Sequence, residues 1–144
     1  MTVSGRRLVT LYETGAFQVW SLSTAQSLGP SFELEEPIKF FVALPSEQPL
    51  FAVSKQNSIF LVDINGFVKW SIPGPHNETI ESLNQSSDNQ FALTLSKDGQ
   101  AIIWGLENDE IIEHSRLWIP KASSERIAMW HRSGSLRLAV GDSK

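Results

Sequence analysis

Three stretches of this 144-residue chain repeat one another at a fixed spacing of 42 residues. They align without a gap and are residues 8–22 (LVTLYETGAFQVWSL), 50–64 (LFAVSKQNSIFLVDI) and 92–106 (ALTLSKDGQAIIWGL). Apolar columns lie on both sides of a polar centre, which holds Gly15, Asn57 and Gly99 in turn. A period of roughly 20–50 residues is typical of proteins built from repeated copies of one small unit. The repeat therefore restricts the fold more than any single motif does.

The central column predicts a tight hairpin in each copy. Glycine and asparagine tolerate the positive φ that short turns between antiparallel strands require. Short segments before and after the hairpins predict further strands, at residues 38–44, 80–85, 25–28, 67–72 and 110–113. Residues 107–116 have the most helix-like pattern of the chain, but their position in the repeat predicts a strand. Each unit is thus predicted to hold four short antiparallel strands in about 42 residues, the size of one propeller blade.

The inner strands and the last part of the chain extend this prediction. Continuous apolar runs at 59–62 and 102–104 are typical of strands that are covered on both faces. Residues 127–130 and 136–141 predict the first two strands of a further unit. Val140 aligns with Leu95 at a spacing of 45, and we assign the three extra residues to the connection at 115–126.

With this repeat of four predicted strands, the sequence resembles the WD-repeat family of β-propellers. That family often carries a hydrogen-bonded tetrad of histidine, serine or threonine, aspartate and tryptophan in a fixed order. The third copy has this order: His76 precedes the first strand, Thr94 lies four residues before Asp98, and Asp98 lies six before Trp104. The resemblance implies a buried structural tetrad in which the polar groups satisfy one another.

The resemblance is to a divergent member of the family. The Trp-Asp pair never occurs intact, because the three copies have Trp20-Ser21, Val62-Asp63 and Trp104-Gly105. Thr14 and Gln56 replace the turn aspartate in the first two copies. The second copy is also similar to the repeat of quinoprotein-like propellers, without the catalytic acids of the enzymes in that group.

The predicted fold is all-β, with blades of four antiparallel strands in an incomplete or open propeller. The predicted units are residues 1–36 (a blade without its first strand), 37–76, 77–120, and 121–144 (the first half of a further blade). Propellers close with about four to eight blades, whereas 144 residues hold about three and a half. We therefore expect the ring to be completed by a longer protein or by another subunit, because an open arc exposes strand edges and apolar faces.

Composition argues against several classes of function. The net charge is −4 and only Arg6-Arg7 places two basic residues side by side, so no basic stripe suits nucleic acid. The absence of cysteine excludes disulfides, thiolate metal sites and cysteine nucleophiles. His76, His114 and His131 are widely spaced, so we predict no metal site and no cofactor. No apolar run has membrane-spanning length, and we expect an intracellular protein of the cytoplasm or nucleus.

Two sets of side chains are candidate contacts for protein partners. The first set occupies equivalent hairpin turns, which predicts one rim of loops, and comprises Glu13, Lys55, Lys97 and Asp142. The second set is Trp70 and Trp118, which fall on or after the outermost strand of their units. Packing against a neighbouring blade is the favoured interpretation of each ring, and the alternative is an exposed ring that anchors a partner.

No catalytic residue is assigned. His76, Thr94 and Asp98 together suggest a catalytic site with Thr94 as nucleophile. The sequence shows no second acid, base or oxyanion feature beside them. The acidic cluster at residues 33–36 predicts a solvated loop rather than a pair of acids for glycoside cleavage. The leading hypothesis is a non-enzymatic scaffold that binds protein partners within a multi-subunit assembly. The alternative is a propeller enzyme or small-ligand binder that acts through a central funnel.

Overall fold

The computed structural model describes residues 2–4, 6–44, 50–107, 110–119, 127–132 and 134–141, and these contain strands and no helix. The strands are β1 (Thr2–Ser4), β2 (Arg7–Leu11), β3 (Phe17–Ser21), β4 (Ile38–Ala43), β5 (Leu50–Ser54), β6 (Ile59–Val62), β7 (Val68–Ile72), β8 (Ile80–Gln85), β9 (Phe91–Ser96), β10 (Gln100–Glu107), β11 (Glu110–Trp118), β12 (Ile127–Arg132) and β13 (Ser135–Val140). The all-β prediction is confirmed.

The strands form antiparallel sheets within two compact units, Met1–Pro75 and His76–Lys144. The first unit contains a sheet of order β1-β2-β3 and a sheet of order β4-β5-β6-β7. The second unit contains a sheet of order β8-β9-β10-β11 and the pair β12-β13. Strands adjacent in sequence are therefore adjacent in each sheet, as short hairpin connections dictate.

The sheets share one pairing register at the 42-residue spacing. The central hairpins align Val9 with Val19, Phe51 with Leu61, and Leu93 with Ile103. The first and second strands of the two four-stranded sheets carry the same irregularity, between Ile38 and Phe40 and between Ile80 and Ser82. A one-residue slip would turn every side chain to the opposite face, so this agreement shows that the same core positions recur.

The turn column of the repeat has the predicted backbone conformation. The φ angles are +94° at Gly15, +66° at Asn57 and +91° at Gly99. Each turn is closed by a backbone hydrogen bond from that residue's N–H to the carbonyl three residues earlier. The prediction of positive φ is confirmed, because glycine and asparagine bear it at least cost.

The three extra residues of the third copy lie elsewhere than predicted. Val68 lies opposite Val62 and follows it by six residues, whereas Glu113 lies opposite Trp104 and follows it by nine. The longer spacing is thus already present in the β10–β11 hairpin, and the assignment to 115–126 is wrong. Within 107–116 the described residues, 107 and 110–116, lie on β10 and β11, so the preference for strand over helix is confirmed for them.

The first sheet also differs from the sequence prediction. Three residues of β1 pair with β2 in the first-strand position, although the sequence predicts a unit without that strand. Three residues are too few to show a period-two pattern. Residues 25–28 form no named strand and contribute only an isolated bridge from Ser27 to Trp20.

Apolar residues of neighbouring sheets form one core in each unit. In the first unit, Val9, Phe17 and Val19 pack with Ala43, Leu50 and Val62. In the second unit, the core contains Leu93, Leu95, Ala101, Ile103, Ile127 and Met129. Residues 102–104 are all buried, and residues 59–62 are buried except for the half-buried Phe60, which fits the prediction from continuous apolar runs.

Candidate functional site

A chain of buried hydrogen bonds joins three of the four residues of the predicted tetrad. The Trp104 indole N–H donates to the Thr94 hydroxyl oxygen over 2.9 Å. The same oxygen lies 2.7 Å from Nε2 of His76. All three side chains are buried, and Thr94 has no exposed surface. The contacts tie the segment before β8 to the two central strands of its sheet.

Burial sets the protonation state of His76. Its pKa is lowered to about 4, first by burial and next by the positive charge of Arg116, although the charges of Asp98 and Glu113 oppose this. The ring is therefore neutral at pH 7. If Thr94 donates its hydroxyl hydrogen to Nε2, the hydroxyl uses one acceptor site for Trp104 and its single donor for His76. Nδ1 of His76 is buried and has no hydrogen-bond partner among the described residues.

Asp98 does not take its predicted place beside His76. Its carboxylate accepts hydrogen bonds from the Ser96 hydroxyl and from the Gln100 backbone N–H, and these contacts lower its pKa. No hydrogen bond between Asp98 and His76 is present in the described part of the chain. Asp98 therefore braces the β9–β10 turn.

The same pair of hydrogen bonds to an aspartate carboxylate occurs at the other end of β9. Ser86 donates to Asp88 over 2.6 Å, and the backbone N–H of Gln90 donates to the same carboxylate oxygen over 3.1 Å. The two segments share the pattern Ser-x-Asp-(Asn/Gly)-Gln at residues 86–90 and 96–100. A carboxylate two residues after a serine can fold back on that serine, so the local motif explains the place of Asp98.

Two further polar contacts were missed by the sequence analysis. Trp20 donates to the Thr10 hydroxyl over 3.0 Å, which repeats the contact of Trp104 with Thr94. Thr10 precedes Trp20 by ten residues, the spacing between Thr94 and Trp104, and that spacing was the available signal. The first sheet therefore keeps the threonine–tryptophan part of the network without a histidine.

In the second sheet, Glu36 ties the preceding segment to the hairpin. It accepts hydrogen bonds from the hydroxyl of Ser54 and, over 3.1 Å, from that of Ser58. A backbone hydrogen bond from Lys55 to Pro37 lies beside this contact at 2.8 Å, and Lys97 makes the equivalent bond to Thr79 at 2.8 Å. The entering segment is thus held to the turn in both sheets, by different side chains.

The arrangement of Thr94 favours a structural role. Its oxygen is fully buried and is already engaged by an indole and an imidazole. A nucleophile must reach its substrate, and this hydroxyl has no open approach. The geometry supports the structural reading of this cluster.

The predicted turn contacts are exposed where they are described. Glu13 and Lys55 lie in turns of the first unit, and Lys97 lies in the β9–β10 turn of the second. Asp142 lies outside the described residues. Each of these three turns is closed by a backbone hydrogen bond and carries an exposed charged side chain.

The two candidate tryptophans differ in exposure. Trp70 lies opposite Leu61 on β7 and is half-buried. Trp118 is 61% exposed and lies opposite Gln100 at the end of β11. The backbone N–H of Ile119 donates to the Gly99 carbonyl over 2.7 Å, which fixes the end of β11 beside the β9–β10 turn. Trp118 and Lys97 are therefore at the same end of one sheet.

The described residues contain no group of three or more histidine, aspartate or glutamate side chains arranged to hold a metal ion. Of the histidines, His76 is engaged with Thr94, and His114 packs its ring edgewise on Phe91 at 5.3 Å. The described part of the chain also has no helix with the length and hydropathy needed to span a membrane.

No protein-family model matches the chain, and no curated protein sequence matches it.

Proposed function

We propose that this chain is a non-enzymatic protein-interaction module built from WD-repeat-like blades of a partial propeller. Its partners are proteins, including the subunit or chain segment that completes the ring. The proposal is supported by the shared register of the sheets and by polar contacts that stabilise the sheets rather than line a cavity. Propellers commonly bind partners through loops held on a rigid scaffold.

One observation carries the proposal: an exposed tryptophan and an exposed lysine lie at the same end of one sheet on a braced backbone. Trp118 is held beside the turn by the bond from Ile119 to Gly99, and the turn of Lys97 is braced by Asp98. Tryptophan is enriched among residues that dominate binding energy at protein interfaces. A rigid turn loses little conformational entropy on binding, which favours affinity.

The test compares partner capture by three forms of the tagged chain expressed in cells. The test variant combines Lys97→Glu with Trp118→Ser. The control variant combines Arg6→Glu with Leu22→Ser, because these two exposed residues are also a cation beside an apolar side chain, joined by a backbone bond of 2.7 Å. Proteins captured by the unmodified chain and by the control should be lost from the test variant.

Equal capture by all three forms would overturn the assignment of this surface. Both variants change exposed residues, so the free energy of unfolding should stay within about 0.5 kcal/mol of the unmodified chain. Circular dichroism and urea unfolding check this. The charge reversal Lys55→Glu with Lys97→Glu extends the test to the second predicted turn.

A further inference from the structure

A groove in the first unit has an apolar floor and an acidic rim. It has a volume of about 330 Å³ and lies between residues 33–35 and the β6–β7 hairpin. Leu34, Phe60, Phe67 and Val68 supply the apolar lining. This volume is near the lower end of ligand sites, which occupy about 300–1,000 Å³, and suits one or two side chains.

The segment that forms one wall is extended, so its side chains alternate between two directions. Residues 31–40 alternate strictly between exposed and half-buried. Phe32, Leu34 and Glu36 point toward the protein, and Glu36 is held there by Ser54 and Ser58. Glu33 and Glu35 are exposed and line the rim of the groove, whereas the half-buried Leu34 between them contributes to its floor. The acidic cluster of the sequence therefore divides into one structural carboxylate and two that face solvent at the groove.

The opposite wall presents an exposed aromatic ring on a fixed turn. Phe67 is 67% exposed. Its backbone N–H donates to the Asp63 carboxylate over 3.0 Å, and its carbonyl accepts from the Asp63 N–H over 3.0 Å. Gly66 lies against Phe32 so closely that an added Cβ would be 2.5 Å from that ring. The turn is thus set by contacts that do not involve the Phe67 side chain.

The charge at the groove lacks a counterpart in the described structure. Neither Glu33 nor Glu35 forms an ion pair with a described lysine or arginine. Lys69, the cation of the same hairpin, lies 3.5 Å from Asp63. Two carboxylates and an open aromatic face together favour a guanidinium or ammonium group, by ion pairing and by cation–π contact.

We propose that this groove binds a short segment of a partner protein in which an apolar side chain adjoins arginine or lysine. The apolar side chain packs on Leu34, Phe60 and Val68, and the cation lies between the carboxylates of Glu33 and Glu35 and the ring of Phe67. The groove shares no residue with the surface of Lys97 and Trp118. Binding here can therefore succeed or fail independently of that surface.

The test uses fluorescein-labelled peptides and fluorescence anisotropy on the full chain. The matching probe is Gly-Arg-Leu-Leu-Arg-Gly; Gly-Glu-Leu-Leu-Glu-Gly reverses its charge, and Gly-Arg-Ser-Ser-Arg-Gly removes its apolar centre. The matching probe should bind saturably, with a Kd at least about tenfold below that of either other peptide. Added salt should weaken this binding, because the charges at the rim are exposed.

Variants locate the binding. Glu33→Lys with Glu35→Lys should raise the Kd at least about tenfold, and Phe67→Ser at least about fivefold. The matched control, Glu78→Lys with Glu81→Lys, reverses two exposed carboxylates of the second unit and should change the Kd less than about twofold. The Lys97→Glu, Trp118→Ser variant should bind the probe as the unmodified chain does.

Three results would overturn the proposal. They are absence of saturable binding, equal binding of the acidic peptide, and an unchanged Kd in the Glu33, Glu35 double variant. Light scattering on the double variant adds a fourth: if it abolishes self-association of the chain, the groove holds a second copy and not a partner peptide.

Discussion

Trp104 donates its indole N–H to the hydroxyl of Thr94 over 2.9 Å, across two central strands of one sheet. The same contact joins Trp20 to Thr10 over 3.0 Å in the first sheet, at an equivalent register. In the later sheet the hydroxyl also contacts His76, whereas in the earlier sheet it donates to the Gln18 backbone carbonyl over 3.4 Å. Two of the three copies therefore share a cross-strand contact, and one of these two adds a buried histidine.

Thr94→Val should destabilise the protein more than Thr10→Val does. The first change leaves the indole N–H and the imidazole Nε2 buried without a partner, at a cost of about 3 kcal/mol. The second removes two half-buried contacts of the Thr10 hydroxyl, with the Trp20 indole and with the Gln18 carbonyl, and should cost about 1 kcal/mol. Urea unfolding of both variants measures the difference. Equal losses would show that the His76 contact adds nothing to stability.

Gly15→Ala should cost about 1–2 kcal/mol of unfolding free energy, because the residue has a positive φ that alanine adopts poorly. No atom lies within 4 Å of the added methyl group, so the loss isolates backbone strain. The control is Gly105→Ala, whose added Cβ would lie 3.7 Å from the nearest atom, the Ile112 carbonyl oxygen. That variant should stay within about 0.5 kcal/mol. The reverse order in thermal or urea unfolding would refute the role of the turn glycine.

Glu36→Ala should destabilise the first unit by about 2 kcal/mol, because it removes the charged acceptor of two serine hydroxyls. Glu35→Ala is the matched control, since the adjacent carboxylate is exposed at the groove. It should change the unfolding free energy by less than about 0.5 kcal/mol. Similar effects of the two variants in urea unfolding would contradict the division of the acidic cluster.

Stability should fall as the pH is lowered through the range set by His76. Its pKa is about 4 in the folded protein and 6.5 ordinarily, so the unfolded chain binds more protons between these values. The stabilising contribution of the neutral ring is complete above about pH 6.5 and decreases toward pH 4. Asp98 and Glu113 have lowered pKa values, and their contributions are lost at lower pH, below the ordinary values of 3.8 and 4.5.

Urea unfolding between about pH 7.5 and pH 5 measures this dependence. His76→Gln should reduce the slope in that window, because glutamine takes up no proton. An identical slope in His76→Gln and the unmodified chain would contradict a buried neutral histidine.

The hairpins were predictable because the residues that specify each turn lie within the turn itself. Gly15, Asn57 and Gly99 recur at one spacing, and positive φ restricts which residues can hold such positions. The pairing register then followed from the same alignment. The location of the three extra residues did not, because a spacing between Leu95 and Val140 does not reveal which connection is longer.

The candidate site was predictable only in part. Thr94 lies opposite Ile102, and Trp104 is two residues further along β10, so the two side chains share one face and their contact follows from strand pairing. Asp98 could turn toward His76 or back toward Ser96, and that choice depends on local hydrogen bonding that spacing does not encode. The role of Glu36 was hidden for a related reason: its serine partners are 18 and 22 residues away in sequence.

We propose that this chain is part of a propeller and acts by binding other proteins. Size-exclusion chromatography with light scattering on the 144-residue chain tests it most directly. An open arc of sheets exposes edges and apolar faces, so we predict a mass above 16.1 kDa that increases with concentration. A stable, monodisperse species of 16.1 kDa at every concentration would contradict the claim.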